Sequence, residues 1–295
     1  MAASELTIDK TKKLPQFDLP IDFIVYDNIT SDLLNFYGSF PCKIEACIFA
    51  YIQEGEIKAR INLWDHTITK NDMVIVIPGS FIQIHSSTPN TKIAFVGFSS
   101  NYLKNINFWK TISPLMLPLF KNPILSLDPE LGSIYSEAMS LLTKASSIKK
   151  AIITPHIATG IMNIFIESLA EAYNHANSGK AKPHTTRDHT ILSEFLQLAF
   201  ENYRDEHKIS FYAREVNLTL SHFCNVISKT TNMTPQEIIM HMIVMDAKTQ
   251  LKGTDLPVSK IASYLGFPTP TTFNRYFRTY TNMTPQEYRN SNPTE

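Results

Sequence analysis

Three sets of residues in this sequence are of types that do chemistry. The first is a pair of histidines, His66 in WDHTI and His85 in IQIHSS. Tightly held metals take several converging nitrogen, sulfur or carboxylate ligands, and two isolated histidines do not supply them. The second is Cys42, Cys47 and Cys224, too few and too scattered for a disulfide framework, a zinc cluster or a relay of activated thiols. The third is a pair of polar series, Ser221, His222, Cys224, Asn225, Ser228 and Lys229, then Thr271, Thr272, Asn274, Arg275 and Arg278. Each series lies opposite an apolar pair at i, i+4 spacing, Phe223 with Ile227 and Phe273 with Phe277. Hydroxyls, amides, guanidinium and ammonium groups form hydrogen bonds and ion pairs without breaking covalent bonds, so the chemistry on offer is recognition. Either face alone reads as an ordinary solvated surface. Two matched faces do not.

Both series run into the same seven letters, TNMTPQE, at 231–237 and 281–287. Asn232 and Asn282 tolerate the left-handed backbone that closes a helix. Thr234 with Glu237, and Thr284 with Glu287, have the spacing of a capping box, and Pro235 and Pro285 fall in the first turn, where no N–H is needed. Met233 with Ile238, and Met283 with Tyr288, fit a hydrophobic staple. Upstream, Ala213 matches Ala262, Val216 matches Leu265, and Leu218 matches Phe267. The alanines suit a close helix crossing. Asn217 and Gly266 suit a turn with positive φ, and Thr219 and Thr269 suit caps of the second helix. The pattern is a helix-turn-helix written twice, joined by a helix from Thr234 to about Leu251.

The stretch IASYLGFPTPTTFNRYFRTYTNMTPQEYR resembles the C-terminal signature of the AraC/XylS transcription regulators, with Ile-Ala, Gly-Phe, an aromatic pair four apart, Thr-Pro and Tyr-Arg. The resemblance covers roughly Asp188–Asn290. It implies that the second helix of each unit enters a major groove of double-stranded DNA. Matched to the family, Ser221, Cys224 and Asn225 would face bases, and Asn can pair with adenine through two hydrogen bonds. Thr271, Thr272, Asn274 and Arg275 would face the second groove, Arg275 reading guanine, while Lys229 and Arg278 would hold phosphates. The rigid joint would place the readers in successive grooves about 34 Å apart. Three departures stand out: Asn282 replaces a common Gly, Ile243 replaces a common supporting Arg, and Thr279 follows Arg278 where a second basic residue is usual.

The rest of the chain must carry these readers. Period-two alternation in CKIEACIFAYIQEGEIKARINLWDHTI, KNDMVIVIPGSFIQIHSS and TKIAFVGFS predicts short strands with turns at Glu54–Gly55, Asn71–Asp72 and Pro78–Gly79. From Asp128 the period becomes helical over two segments, and the second is apolar on more than one face, which fits either a contact beyond its own domain, such as a second copy of the chain, or a helix buried entirely within its domain. NHANSGKAKPHTTRDH has no period and reads as a linker. The expected class is α+β: a cupin-like β-barrel with a helical pair at 1–176, a linker at 177–188, and an all-α double helix-turn-helix domain at 189–295. The strand-rich part resembles the family's sensor domain. Metal cupins begin their cluster His-x-His, and Trp64-Asp65-His66 lacks the first histidine, while Gln83 stands near the place of the later one. No metal or other cofactor is therefore expected. Tyr51, Trp64, His66, His85 and Phe95 are candidates to line a small-molecule effector pocket.

Formal net charge is zero, and between 189 and 295 ten Lys and Arg residues balance ten Asp and Glu. Bulk charge therefore announces no polyelectrolyte partner, and DNA affinity should show a shallow salt dependence. No apolar run reaches membrane-spanning length, and the first residues lack a signal-peptide core, so a cytoplasmic protein with no membrane partner is expected. The sequence predicts a regulator, an activator in the leading reading, with DNA, an effector, RNA polymerase and a second copy as candidate partners. It does not predict an enzyme. The alternative is a cupin-type metalloenzyme with a helical appendage.

Overall fold

The computed structural model describes residues 16–30, 41–62, 64–106, 108, 112, 115, 119, 122–147, 154–176 and 187–291. Among the described residues, the first half holds ten strands: β1 (Gln16–Phe17), β2 (Phe23–Thr30), β3 (Cys42–Ile44), β4 (Cys47–Glu54), β5 (Glu56–Ile61), β6 (Trp64–Thr69), β7 (Asp72–Val76), β8 (Ser80–Ser87), β9 (Lys92–Phe98) and β10 (Ile124–Ser126). They form two five-stranded sheets, ordered β1-β3-β8-β5-β6 and β10-β7-β4-β9-β2. Every pairing is antiparallel except β1 with β3. The turns form at Gly55 (φ 88°), Asn71 (φ 70°) and Gly79 (φ 86°).

Between the sheets lies a core of Ile57, Ile61 and Ile68 from one side and Ile52, Val74, Val76 and Phe95 from the other. The sequence reading expected a cupin-like barrel. The sheets instead remain open and stack as a sandwich, with β6 and β2 among the edges. Alternation fixes which side chains point inward. It does not fix whether edge strands tilt far enough to bond and close.

The outer face of the second sheet is covered by α1 (Ser100–Lys104), α2 (Pro129–Ser147) and α3 (Pro155–Ala176). Phe49 meets Phe165 of α3 at 5.5 Å between ring centres, and Tyr135 of α2 meets Phe165 at 5.4 Å. All of β7 is therefore buried, Val74 and Val76 inward, Met73 and Ile75 outward under helices. α2 starts where expected, with Asp128 Oδ1 accepting from Leu131 N at 2.9 Å. Ile134 and Leu141 of α2, and Ile157 and Ile164 of α3, remain exposed on this pair.

The second half is helical: α4 (Arg187–Asn202), α5 (Ile209–Glu215), α6 (Leu220–Thr231), α7 (Pro235–Gly253), α8 (Val258–Tyr264), α9 (Pro270–Thr281) and α10 (Pro285–Asn290). Of the expected linker, 177–186 lies outside the described residues. The helices pack on the outer face of the first sheet. Lys43 of β3 lies over the Tyr203 ring at 5.5 Å. A Cβ added at Gly79 would come within 2.5 Å of the Phe200 ring, so the β7–β8 turn sits directly on α4. Burial and nearby Arg60 push Lys248 of α7 below the usual lysine range, with Asp65 acting against them.

Candidate nucleic-acid interface

α5 with α6, and α8 with α9, form two units built from the same local bonds. Leu218 N donates to Ala213 O at 2.9 Å, and Phe267 N donates to Ala262 O at 3.0 Å. Both alanines are buried where the helices cross. The turns use Asn217 at φ 56° and Gly266 at φ 72°. Thr219 Oγ accepts from His222 N, and Thr269 Oγ accepts from Thr272 N. Asn232 (φ 60°) and Asn282 (φ 57°) close the second helices in the left-handed conformation. Both capping boxes are formed, with Thr234 N and Thr284 N each donating to a glutamate oxygen at 2.7 Å. Those donors hold the Glu237 and Glu287 carboxyls below the usual range.

The two second helices bury their apolar sides and expose the rest. Phe223 and Ile227, like Phe273 and Phe277, are fully buried. Ser221, Asn225, Lys229, Thr271, Asn274, Arg275 and Arg278 are exposed. Cys224 and Thr272 are half-buried. Cys224 packs against the helical core, and Thr272 Oγ1 lies 2.9 Å from Thr269 Oγ1 within the cap. Lys229 Nζ donates to Asp188 Oδ2 at 3.2 Å across the surface, a pairing weak enough for a phosphate to displace. Leu220, about half exposed at the start of α6, has no place among the expected contacts. It stands at i, i+3, i+7 spacing with Phe223 and Ile227, on their side of the helix, and is left half open because it lies in the first turn.

α7 joins the units and is buried nearly all round, by both units and by the first sheet. Ile243, which replaces the family's common Arg, is 1% exposed in the helical core. Ionic support comes from one turn later. Asp246, fully buried, accepts from Tyr203 Oη at 2.7 Å, Arg204 Nε at 2.8 Å and Gln250 Nε2 at 3.1 Å. Burial, with the Asp246 charge, pushes the Tyr203 hydroxyl well above its usual range. The pairing joins residues 42 apart that no periodicity connects.

The five candidate effector residues do not form one pocket. Ala50 pairs with Phe95, and Tyr51 with Ala94, so Tyr51 and Phe95 point to opposite faces of one sheet. Tyr51 lies under α2 with its hydroxyl on Asn71, while Phe95 fills the sandwich core. His66 pairs with Ala59 and faces the sandwich interior, and its Nε2 is buried without a hydrogen-bond partner; burial lowers its pKa. His85 Nε2 stands 3.4 Å from Asp65 Oδ1. Trp64 lines a narrow apolar gap against Ile238, Met242 and Met245 of α7. Among the described residues, no three His, Cys, Asp or Glu side chains are grouped to hold a metal, and no helix is long and apolar enough to cross a membrane.

Comparison with known proteins agrees with this geometry. A family model for a helix-turn-helix domain matches residues 212–291. The C-terminal unit is a helix-turn-helix DNA-binding domain similar to those of AraC-type operon regulators, and the chain is a transcription regulator. The regulator is 23% identical over 250 residues to the raffinose operon transcriptional regulatory protein RafR of Pediococcus pentosaceus, covering 84% of this chain and 86% of that one. To the Msm operon regulatory protein of Streptococcus mutans it is 21% identical over 276 residues, covering 92% and 93%. Among solved structures, unsaturated fatty acid bound ToxT from Vibrio cholerae aligns with TM-score 0.48 and 16% identity, covering 92% of this chain and 96% of that one.

Proposed function

We propose that the regulator reads two adjacent major grooves with α6 and α9, and that its strand-rich half controls this reading. The observation that carries the proposal is the bond-for-bond repetition of turn, cap and left-handed stop behind two different polar faces. Repetition of the support with variation of the face is what two readers of different sequences need. In the first unit Ser221 and Asn225 face bases and Lys229 holds phosphate, with Cys224 at the edge of the contact. In the second, Thr271, Asn274 and Arg275 face bases, Arg278 holds phosphate and Thr272 stays at the cap. Arg275 is the strongest single reader, because guanidinium meets guanine through two hydrogen bonds.

The division of labour puts the strand-rich part and its helical pair within 1–176 and the readers in a helical part that begins at Arg187, two residues earlier than the expected 189, because Arg187 and Asp188 of the expected linker already belong to α4. A cleft of about 430 Å³ between the first sheet, α1 and α4, lined by Lys43, Lys104, Gln197 and Phe200, has the size of a small-molecule site and is a better effector candidate than the five dispersed residues. The apolar residues exposed on α2 and α3 supply a face for a second copy. Activation of sugar-utilisation operons is the role suggested by the relatives' names, with contact to RNA polymerase as its corollary. Cytoplasmic residence follows from a DNA target.

Selection of bound sequences from a random duplex pool by the full chain tests the reading. Two conserved blocks about one helical turn apart are expected. Enrichment of no sequence, or of a single block, would overturn it. Because the helical half is neutral, the affinity measured against salt should give a log–log slope of only a few units, at about −0.9 per phosphate contacted.

A further inference from the structure

Asp246 touches neither reader face, yet it is the most deeply held charge in the helical half. A buried ion pair is a poor source of net stability. Apolar residues of similar shape usually do as well, and the best-attested use of such a pair is to fix a register. The surroundings of Arg204 show which register is at stake. Arg204 lies just past the end of α4, which packs on α6 of the first unit through Phe195 and Phe223, 5.2 Å between ring centres. Its Nε bonds to Asp246 on the joint. Its guanidinium carbon stands 4.4 Å from the Tyr264 ring centre at the end of α8, in the second unit. Its carbonyl oxygen abuts the turn of that unit, where a Cβ at Gly266 would come within 2.1 Å. The His207 ring sits 5.0 Å from the Phe267 ring beside the same turn. One short segment therefore touches the first unit, the joint and the second unit together. The other polar clamps on the joint, Arg289 on the carbonyls of Leu251 and Leu256, and Lys252 on that of Arg289, link α10 to α7 and its following turn, and do not reach the first unit.

We infer that Arg204, held by Asp246 and stacked on Tyr264, is a positioning residue that sets the separation of the two DNA blocks the regulator accepts. The inference rests on the paired-reader function proposed above. Two readers on one rigid body gain affinity only when both reach their grooves together. The gain from such linkage spans about 10²–10⁴ and is lost as the geometry drifts. Loosening the Arg204 contact lets the units rotate about α7, so each groove is still read but the distance between them is no longer single-valued.

The test compares full-length wild type, Asp246→Asn and Arg204→Lys in selection from a random duplex pool, followed by binding to the best composite duplex and to a duplex carrying one block. Arg204→Lys keeps a cation beside Asp246 and removes the planar stacking on Tyr264. Wild type should yield two blocks at one separation. Both variants should yield the same two blocks with separations spread by a base pair or more. Their affinity for the composite duplex should fall roughly tenfold or more, while binding to one block holds. Unchanged separation in either folded variant would overturn the inference, as would equal proportional loss on both duplexes. Should Asp246→Asn unfold, Arg204→Lys decides. Should both unfold, the cluster is structural and the positioning role falls. A wild type that selects one block, or none, fails the paired-reader function itself, a result distinct from two fixed blocks in every variant.

Discussion

The two helix-turn-helix units share a skeleton and differ in surroundings. In the first, α6 buries Phe223, Val226, Ile227 and Thr231, and its phenylalanine is backed by Phe195 of a long helix. In the second, α9 buries only Phe273 and Phe277, and Phe277 is backed by Tyr288 of the short α10, 5.6 Å away. The first reader offers hydroxyls, an amide and one ion-paired lysine. The second offers two exposed arginines. One unit is thus built as the anchored partner and the other as the charged, more exposed partner. What is repeated is the geometry that aims a helix, and what differs is what the helix says.

Substitutions can break or sharpen this contrast. The largest effect should come from Phe223→Ala and Phe273→Ala. Each empties a fully buried site and should cost about 3–5 kcal/mol in urea unfolding. Hydrogen exchange should show loosening that spreads into α4 for Phe223→Ala and stays within α8–α10 for Phe273→Ala. Gly266→Ala comes next. It combines positive φ with a collision against the Arg204 carbonyl and should destabilise by about 1–3 kcal/mol, whereas Asn217→Gly in the matching turn should be nearly neutral. Arg275→Ala should cost about 1–3 kcal/mol in binding to the selected duplex and relax base preference at one position. Asn225→Ala should do less, and equal losses would erase the asymmetry between the readers.

The smallest effect concerns the capping boxes that follow both units. Glu237 and Glu287 have lowered pKa values in the folded chain because the Thr234 and Thr284 backbone N–H groups donate to them. A lowered folded value means that the stabilisation is present above the ordinary glutamate pKa and is lost as pH falls through the folded value. Glu237→Gln and Glu287→Gln should therefore each flatten the acid limb of thermal stability slightly and to the same degree. Unequal flattening would show that the boxes are not equivalent.

The helical half was legible because its signals are local. Thr234, Asn232 and Pro235 announce a junction within four residues, and Asn217 and Thr219 announce a turn within three. Legibility faded where partners are distant. The Arg204–Asp246 pair spans 42 residues, and nothing in either neighbourhood points to the other. The strands were visible by alternation, but pocket membership needs register. Tyr51 and Phe95 read as neighbours in a strand-rich region until pairing put them on opposite faces. Closure of the sheets was equally unreadable, since it depends on how edge strands tilt. The family resemblance puts Cys224 among the base-facing residues, and its half-burial against the helical core depends on the helix's rotation, which the sequence fixes only to within a residue or so.

The unequal burial of the three thiols has a practical side. Cys47 has no exposure, and burial pushes its pKa up; that of Cys42 is pushed up to about 12 by the same cause. Both should react slowly with alkylating reagents, because the thiolate is the form that attacks them. Cys224 alone sits on a helix whose neighbours Ser221 and Asn225 are open to solvent. A maleimide dye added to the unaltered protein would settle there first, so the wild-type chain arrives with its own attachment point for a fluorescent reporter at the edge of the first reading helix.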